Sequence, residues 1–264
     1  MKITRPIRAV LFDMDGVMVD SEFVYMKYLL EFAREKNPAV TMEDINPMVG
    51  RSRQDSWMVM ERAVDNGESW ETLIKEWADR DIYSRIDYRK IFRPEMKTTV
   101  QELKRRGYTV ALVSSTGPKL IARIMEETGM RPVFDLIVSG SQFKQSKPNP
   151  EIYHYTAKTL GIPEEECFVV EDSTVGIQAG KAAGMTVAAL EDDRFGFDQS
   201  QADIHIRQIS EILKFLPGTE NIVLCGASSY EQKYYFNQDF KALPDHIKKE
   251  LQIMCVLFTE DIGG

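Results

Sequence analysis

Short apolar runs, unbroken rather than alternating, recur along the chain and are separated by stretches of helical periodicity. Residues 9–13 read AVLFD, 108–114 YTVALVS, 136–140 LIVSG, 167–172 CFVVED and 186–190 TVAAL; ADIHI at 202–206 is a weaker sixth run. A strand that is apolar at every position must be covered on both faces, which is the condition inside a parallel sheet. Between the runs lie helical patterns at 98–106, closed by Gly107, and at 119–128, closed by Gly129. A third begins with Asn149 as N-cap and Pro150 at the first helical position, and stops at Gly161. A fourth spans 174–183, ahead of Gly184. Strands alternating with helices in this way predict an α/β fold built on a doubly wound parallel sheet.

Residues 17–93 break the rhythm. They hold no convincing strand, and 23–35, 53–64 and 70–82 read as amphipathic helices. A helical insertion of this length after the first strand predicts a separate small helical domain, with Pro94 marking the return to the sheet. Pro217-Gly218 is a second strong break. Beyond it, NIVLCGA and KYYF look like strands, and 243–258 carries Ile247, Leu251, Met254 and Phe258 near helical spacing. The expected organisation is a core from 1–16 and 94–217, a helical domain at 17–93 and an extension at 219–264.

Composition excludes several function classes. The chain carries 33 basic and 41 acidic side chains, a net charge of −8, which argues against broad binding to a nucleic-acid backbone. Three cysteines, Cys167, Cys225 and Cys255, with only three histidines, match no zinc pattern and form no disulfide framework. Asp13 and Asp15 interrupt the most apolar early stretch, unlike a secretory core. No run approaches the roughly 20 apolar residues of a membrane span. The expectation is a cytoplasmic protein with free thiols and neither nucleic acid nor membrane as partner.

The strand ends carry the chemistry. Asp13 and Asp15 follow the first run, and Gly16 permits the loop to curl so that both carboxylates share one site. Ser114 ends the second run, with Ser115 and Thr116 beyond it. Lys147 precedes the Asn149-Pro150 helix start, and Glu171-Asp172 end the fourth run. Ligands of open α/β sheets bind beyond the carboxyl ends of the strands. Carboxylates there suit Mg²⁺, a hard cation that takes oxygen ligands. A hydroxyl, a lysine and helix N-terminal amides suit a phosphate. Each residue alone has a plain structural explanation; their joint order along the chain does not.

Together FDMDGVMVDSE, LVSST, SKPNPEIY and VVEDSTVGIQAGKAAGM resemble the four motifs of the haloacid dehalogenase-like superfamily. The nearest subgroup is that of β-phosphoglucomutase-like phosphatases and phosphomutases, which have a Rossmann-like core and a helical cap after the first strand. The resemblance covers about residues 7–217. It implies that Asp13 is the nucleophile and forms an aspartyl-phosphate, and that Asp15 is the general acid and then the base. Ser114 would bind a phosphoryl oxygen, with Ser115 and Thr116 beside it, and Lys147 would offset the charge shared by Asp13 and phosphate. Mg²⁺ would be held by Asp13, the Asp15 carbonyl and Asp172, with Glu171 as a further ligand or neighbour. Gly50 and Arg53 resemble a cap segment whose arginine holds a second phosphate; Arg51 is a similar neighbour.

The sequence departs from β-phosphoglucomutase in the first cap helix. The mutase has a histidine there, and this chain has Phe23, Val24 and Tyr25. That favours a phosphatase of a small phosphorylated metabolite, such as a sugar phosphate, over a mutase. Trp57, Trp70 and Trp77 read as cap packing residues. Residues 219–264 lie outside the resemblance, apart from a faint likeness to small bacterial proteins of no known role. They are expected to be an appendage, or a segment for a partner or self-association.

Overall fold

A computed structural model of the chain describes residues 6–49, 53–216, 222–225 and 233–236, with the backbone alone for Arg53 and the last two stretches. The contacts divide the chain into two compact units, Met1–Leu216 and Pro217–Gly264.

The first unit contains β1 (Ala9–Phe12), followed by helices α1 (Ser21–Lys36), α2 (Met42–Ile45), α3 (Arg53–Val64), α4 (Trp70–Ala78), α5 (Ile82–Arg85) and α6 (Tyr88–Ile91). The β/α alternation then runs through α7 (Glu95–Arg105), β2 (Thr109–Ser114), α8 (Pro118–Thr128), β3 (Leu136–Ser139), α9 (Glu151–Leu160), β4 (Cys167–Glu171), α10 (Thr174–Ala182), β5 (Thr186–Leu190) and β6 (Ile204–Ile206). All six strands are parallel, in the order β3-β2-β1-β4-β5-β6. The predicted doubly wound α/β sheet is therefore the fold, and the weak sixth run is its edge strand. In the second unit, β7 (Ile222–Cys225) pairs antiparallel with β8 (Lys233–Phe236). The helical pattern at 243–258 lies outside the described residues.

The unbroken apolar runs have a direct explanation. Val10, Phe12, Val110, Leu112, Phe168 and Val170 join one buried cluster with Met96, Val100 and Leu103 of α7 and Ile121, Ile124 and Met125 of α8. Their odd-numbered neighbours Ala9, Leu11, Ala111, Val113 and Val169 join another, with Ile152 and Tyr153 of α9 and Ile177 and Ala179 of α10. Successive strand side chains point to opposite faces, so a sheet with helices on both sides needs apolar residues at every position.

The helical insertion has its own core. Met26, Leu29 and Phe32 of α1 pack with Trp57 and Met60 of α3, Leu73 and Trp77 of α4, and Ile82. Phe32 sits edge-on to Trp57 and Trp77, at centroid distances of 6.1 and 5.5 Å. Two details differ from the sequence reading. Residues 70–82 form two helices, because the chain turns at Asp81, where φ is 45°. Along one continuous helix Ile82 would lie roughly 140° around the axis from Trp77; the break lets both enter the same core. Pro150, and not Asn149, is the N-cap of α9, while the Asn149 Oδ1 accepts the Glu151 N–H at 2.9 Å.

Phe32 is fully buried at the centre of this aromatic cluster. Phe32→Ala should lower unfolding stability by roughly 3–5 kcal/mol, through lost burial and a residual cavity. Urea denaturation followed by tryptophan fluorescence measures it.

Candidate active site

β1 lies at the centre of the sheet, in register with β2 and β4. Asp13, one residue past β1, is anchored by its N–H to the Val170 carbonyl at 3.0 Å. The end of β4 thereby faces it, and Glu171 and Asp172 arrive beside it. Asp13, Glu171 and Asp172 are all buried, and one carboxylate oxygen from each lies within 4.8 Å of the others. Lys147 enters this group from the loop ahead of α9. Its Nζ donates to Asp13 Oδ1 at 2.6 Å, to Glu171 Oε1 at 2.7 Å and to the Val113 carbonyl at 3.1 Å.

Three clustered carboxylates stand beside one ammonium, which contacts two of them, and the electrostatics follow from that count. Burial pushes Asp13 well above the usual carboxylate range, with Lys147 opposing it and Glu171 and Asp15 reinforcing it. Burial does the same to Asp172, aided by Glu171 and Asp13. Burial works to lower the Lys147 pKa, but the charges of Asp13 and Glu171 outweigh it and hold the ammonium well above its ordinary value. Glu171 is further held by the Tyr153 hydroxyl at 3.1 Å and the Ser173 hydroxyl at 3.2 Å, and Lys147 lies over the Tyr153 ring.

Asp15 is positioned separately. Ser21 Oγ donates to its Oδ1 and Thr116 Oγ1 to its Oδ2, both at 2.7 Å. The curl between the two aspartates is closed by Gly16, whose N–H bonds the Val19 carbonyl and whose φ is +81°. A Cβ on Gly16 would stand 1.9 Å from Asp172 Oδ2, so only glycine admits the Asp172 carboxylate there. Gly176 makes the same space for Glu171. Ser114 is fully buried, and its Oγ accepts the Thr116 N–H at 3.0 Å. Ser115 and Thr116 line the cavity above.

That cavity has a volume of about 570 Å³. Asp13, Asp15, Lys147, Glu171 and Asp172 line one side; the insertion contributes Glu22, Tyr25, Val49, Tyr83 and Ile86. Tyr25 and Tyr83 stack at 5.7 Å with an interplanar angle of 20°, and Trp77 Nε1 donates to the Tyr25 hydroxyl at 2.9 Å. Burial, reinforced by the charges of Asp15 and Asp20, pushes Glu22 up to about 7. Two linkers join insertion to core: Val19 bridges Phe92, and the Arg93 guanidinium donates to the Gly16 carbonyl at 3.0 and 3.2 Å. From the loop after β5, Arg194 clasps Asp20 at 2.7 and 2.9 Å, and Gln199 donates to the Asp172 carbonyl at 2.6 Å.

The structure thus brings Asp13, Asp15, Lys147, Glu171, Asp172, Ser115 and Thr116 to one cavity, with Ser114 buried beneath Thr116. Gly50 and the side chain of Arg53 lie outside the described residues. Sequence reasoning missed Ser21, Tyr153, Gln199, Glu22 and the Tyr25–Tyr83 stack. Tyr153 was within reach, because it closes the same SKPNPEIY segment as Lys147. Trp57 and Trp77 are buried in the insertion core as expected, and Trp70 packs against it. Cys167 is a buried free thiol. Among the described residues no helix is long and apolar enough to cross a membrane.

The donor set fits a hard divalent cation. All three clustered groups offer carboxylate oxygen, and one ammonium leaves them in net negative charge. Asp172 is only 4% exposed, and its carboxylate is met by a backbone N–H and by no side-chain donor among the described residues. Buried charge of this kind is stable only when compensated.

Removing the ammonium exposes that imbalance. Lys147→Met should cost roughly 3–5 kcal/mol of stability at neutral pH, because it orphans buried carboxylates. The deficit should shrink as pH falls, since the orphaned carboxylates then take up protons. Chemical denaturation of both proteins between neutral and mildly acidic pH measures it.

Comparison with known proteins agrees with this geometry. A family model described as haloacid dehalogenase-like hydrolase matches residues 10–190, and a family of unknown function matches residues 221–264. The chain is 28% identical over 222 residues to hexitol phosphatase B of Escherichia coli, covering 80% of this chain and 97% of that one. It is 25% identical over 224 residues to a phosphoglycolate phosphatase of Pseudomonas syringae, covering 80% and 79%. A solved structure described as a putative β-phosphoglucomutase from Thermotoga maritima has the same fold, with TM-score 0.64, 24% identity and coverage of 80% and 99%. The match runs from β1 to β5 and takes in the insertion and all four strand-end segments, and on it the chain belongs to the haloacid dehalogenase-like hydrolase family.

Proposed function

We propose that the chain is a Mg²⁺-dependent phosphatase that hydrolyses a small phosphorylated metabolite, of the sugar-phosphate kind, through an aspartyl-phosphate on Asp13. The observation that carries this reading is the pair of aspartates at the end of β1. One is buried against Lys147; the other is held by two hydroxyls at the same cavity. The phosphatase relatives support it. In this reading 17–93 is a cap over the core formed by 1–16 and 94–217.

The roles follow from the contacts. Lys147 engages Asp13 Oδ1, which leaves Oδ2 to attack phosphorus. As the new P–O bond forms, the bond to the leaving alcohol breaks, and the Asp15 carboxyl gives its proton to the departing oxygen. Water then attacks phosphorus, breaks the bond to Asp13 and returns a proton to Asp15. Ser21 and Thr116 keep Asp15 in place for both transfers. Because Ser114 Oγ accepts from Thr116, its own proton is free for a phosphoryl oxygen. Asp13, Asp172 and the Asp15 carbonyl would hold Mg²⁺, with Glu171 beside them. Bound there, the ion supplies positive charge that removes the repulsion between Asp13 and the phosphoryl oxygens.

The aromatic wall favours hydrolysis over mutase chemistry. α1 presents Ser21, Glu22 and Tyr25 to the cavity, the last fixed by Trp77 and Tyr83, and no histidine. Residues 219–264 stand outside this chemistry as a segment for a partner or self-association.

Purified protein should release phosphate from a sugar-phosphate panel only with Mg²⁺, and Asp13→Asn should lower the rate at least about a thousandfold. Equal release by the two proteins overturns the reading. Glucose 1-phosphate followed by NMR should give free phosphate without isomerisation; isomerisation would restore the mutase.

A further inference from the structure

We propose that Glu22 selects the leaving group, accepting a hydrogen bond from a hydroxyl of an uncharged, polyhydroxylated substrate and repelling leaving groups that carry an anion. The proposal rests on the phosphatase reading and names its substrate class.

Three observations carry it. The first is position. Glu22 lines the cavity from the first turn of α1, on the side of the insertion, and lies close enough to Asp15 to feel its charge. In the proposed reaction Asp15 protonates the leaving oxygen, so a leaving group held there lies on the side of the cavity that Glu22 lines. The second is the missing partner. Asp15, Glu171 and Asp13 each accept a side-chain hydrogen bond, whereas the Glu22 carboxylate has none among the described residues. Glu22 is half-buried and faces the cavity, so its carboxylate is open to a donor, and a substrate hydroxyl supplies one. The third is the charge and shape of the wall. Among the described lining residues, which do not include the side chains of Arg51 and Arg53, five carboxylates face a single cation, Lys147, which is already committed to Asp13 and Glu171.

The same cavity is also lined by aromatic and aliphatic side chains: the Tyr25–Tyr83 stack, Val49, Ile86 and Phe197. That surface accepts the C–H face of a polyol or sugar while its hydroxyl reaches Glu22. Above about pH 7, where Glu22 is ionised, a leaving group with a carboxylate would place like charge against it, which costs affinity.

The test compares kcat/KM of the full chain with Mg²⁺ at about pH 8.5, where Glu22 is ionised, on sorbitol 6-phosphate, 2-phosphoglycolate and p-nitrophenyl phosphate. Wild type should prefer sorbitol 6-phosphate to 2-phosphoglycolate. In Glu22→Gln the ratio of the two should fall about tenfold, as expected when a hydrogen bond to a charged group is lost. The fall should come from movement in opposite directions: the polyol ester worsens, chiefly in KM, and the glycolate ester improves. A variant that merely folds poorly would lower both together. Glu22→Asp, which keeps the charge, should keep the bias against 2-phosphoglycolate. An unchanged ratio in Glu22→Gln, or a wild-type preference for 2-phosphoglycolate, overturns the proposal, while Mg²⁺-dependent release from p-nitrophenyl phosphate leaves the phosphatase reading standing. No release from any of the three esters overturns both.

Discussion

The Lys147 ammonium, set among Asp13, Glu171 and Asp172, joins segments that are far apart in sequence: the end of β1, the loop before α9 and the end of β4. Its third contact, to the Val113 carbonyl, ties in β2. One charge therefore fixes the relative placement of three strand ends. It also leaves a deliberate deficit, since it neutralises only part of what surrounds it. A site with this imbalance suits a divalent cation, whose two charges would bring three carboxylates and one ammonium to neutrality. The chain's overall charge of −8 has no bearing on that local balance.

Close packing protects the arrangement. Gly16 and Gly176 leave room for the carboxylates of Asp172 and Glu171, so the acidic groups seat against backbone rather than against side chains that would crowd them. Tyr153 and Ser173 orient Glu171, and Ser21 and Thr116 orient Asp15. Hydrogen-bonded supports of this kind set where reactive oxygens point without changing position during the reaction. The helical insertion faces this rigid floor through a wall of its own, and its linkers are tied down by the Val19–Phe92 bridge, by Arg93 and by the Arg194 clasp on Asp20.

Much of this was legible in the residues. The apolar runs are two interleaved faces of one sheet, and a sheet covered on both sides leaves that trace in any sequence. The strand-end aspartates, Lys147 and Glu171-Asp172 stood out because their joint order at the ends of such runs has no structural explanation, although each alone does. Other parts were not legible. Ser21 reads as an ordinary helix start, and Gln199 as part of a polar loop; their importance comes from Asp15 and Asp172, which are distant along the chain or reached only by folding. The break in 70–82 was hidden because helical periodicity does not register a turn that serves packing of Trp77 and Ile82 together.

The sequence by itself determined the parallel α/β core, the helical insertion and the residues at the strand ends, because burial on two faces and chemistry at strand termini are local patterns. Only the tertiary structure decided which carboxylates share Lys147, which hydroxyls hold Asp15, and that Glu22 stands without a donor beside stacked tyrosines. Those are distances between segments separated by up to more than a hundred residues, such as Lys147 and Asp13 at 134. Periodicity carries no information about them; the register of β1 with β2 and β4 sets them.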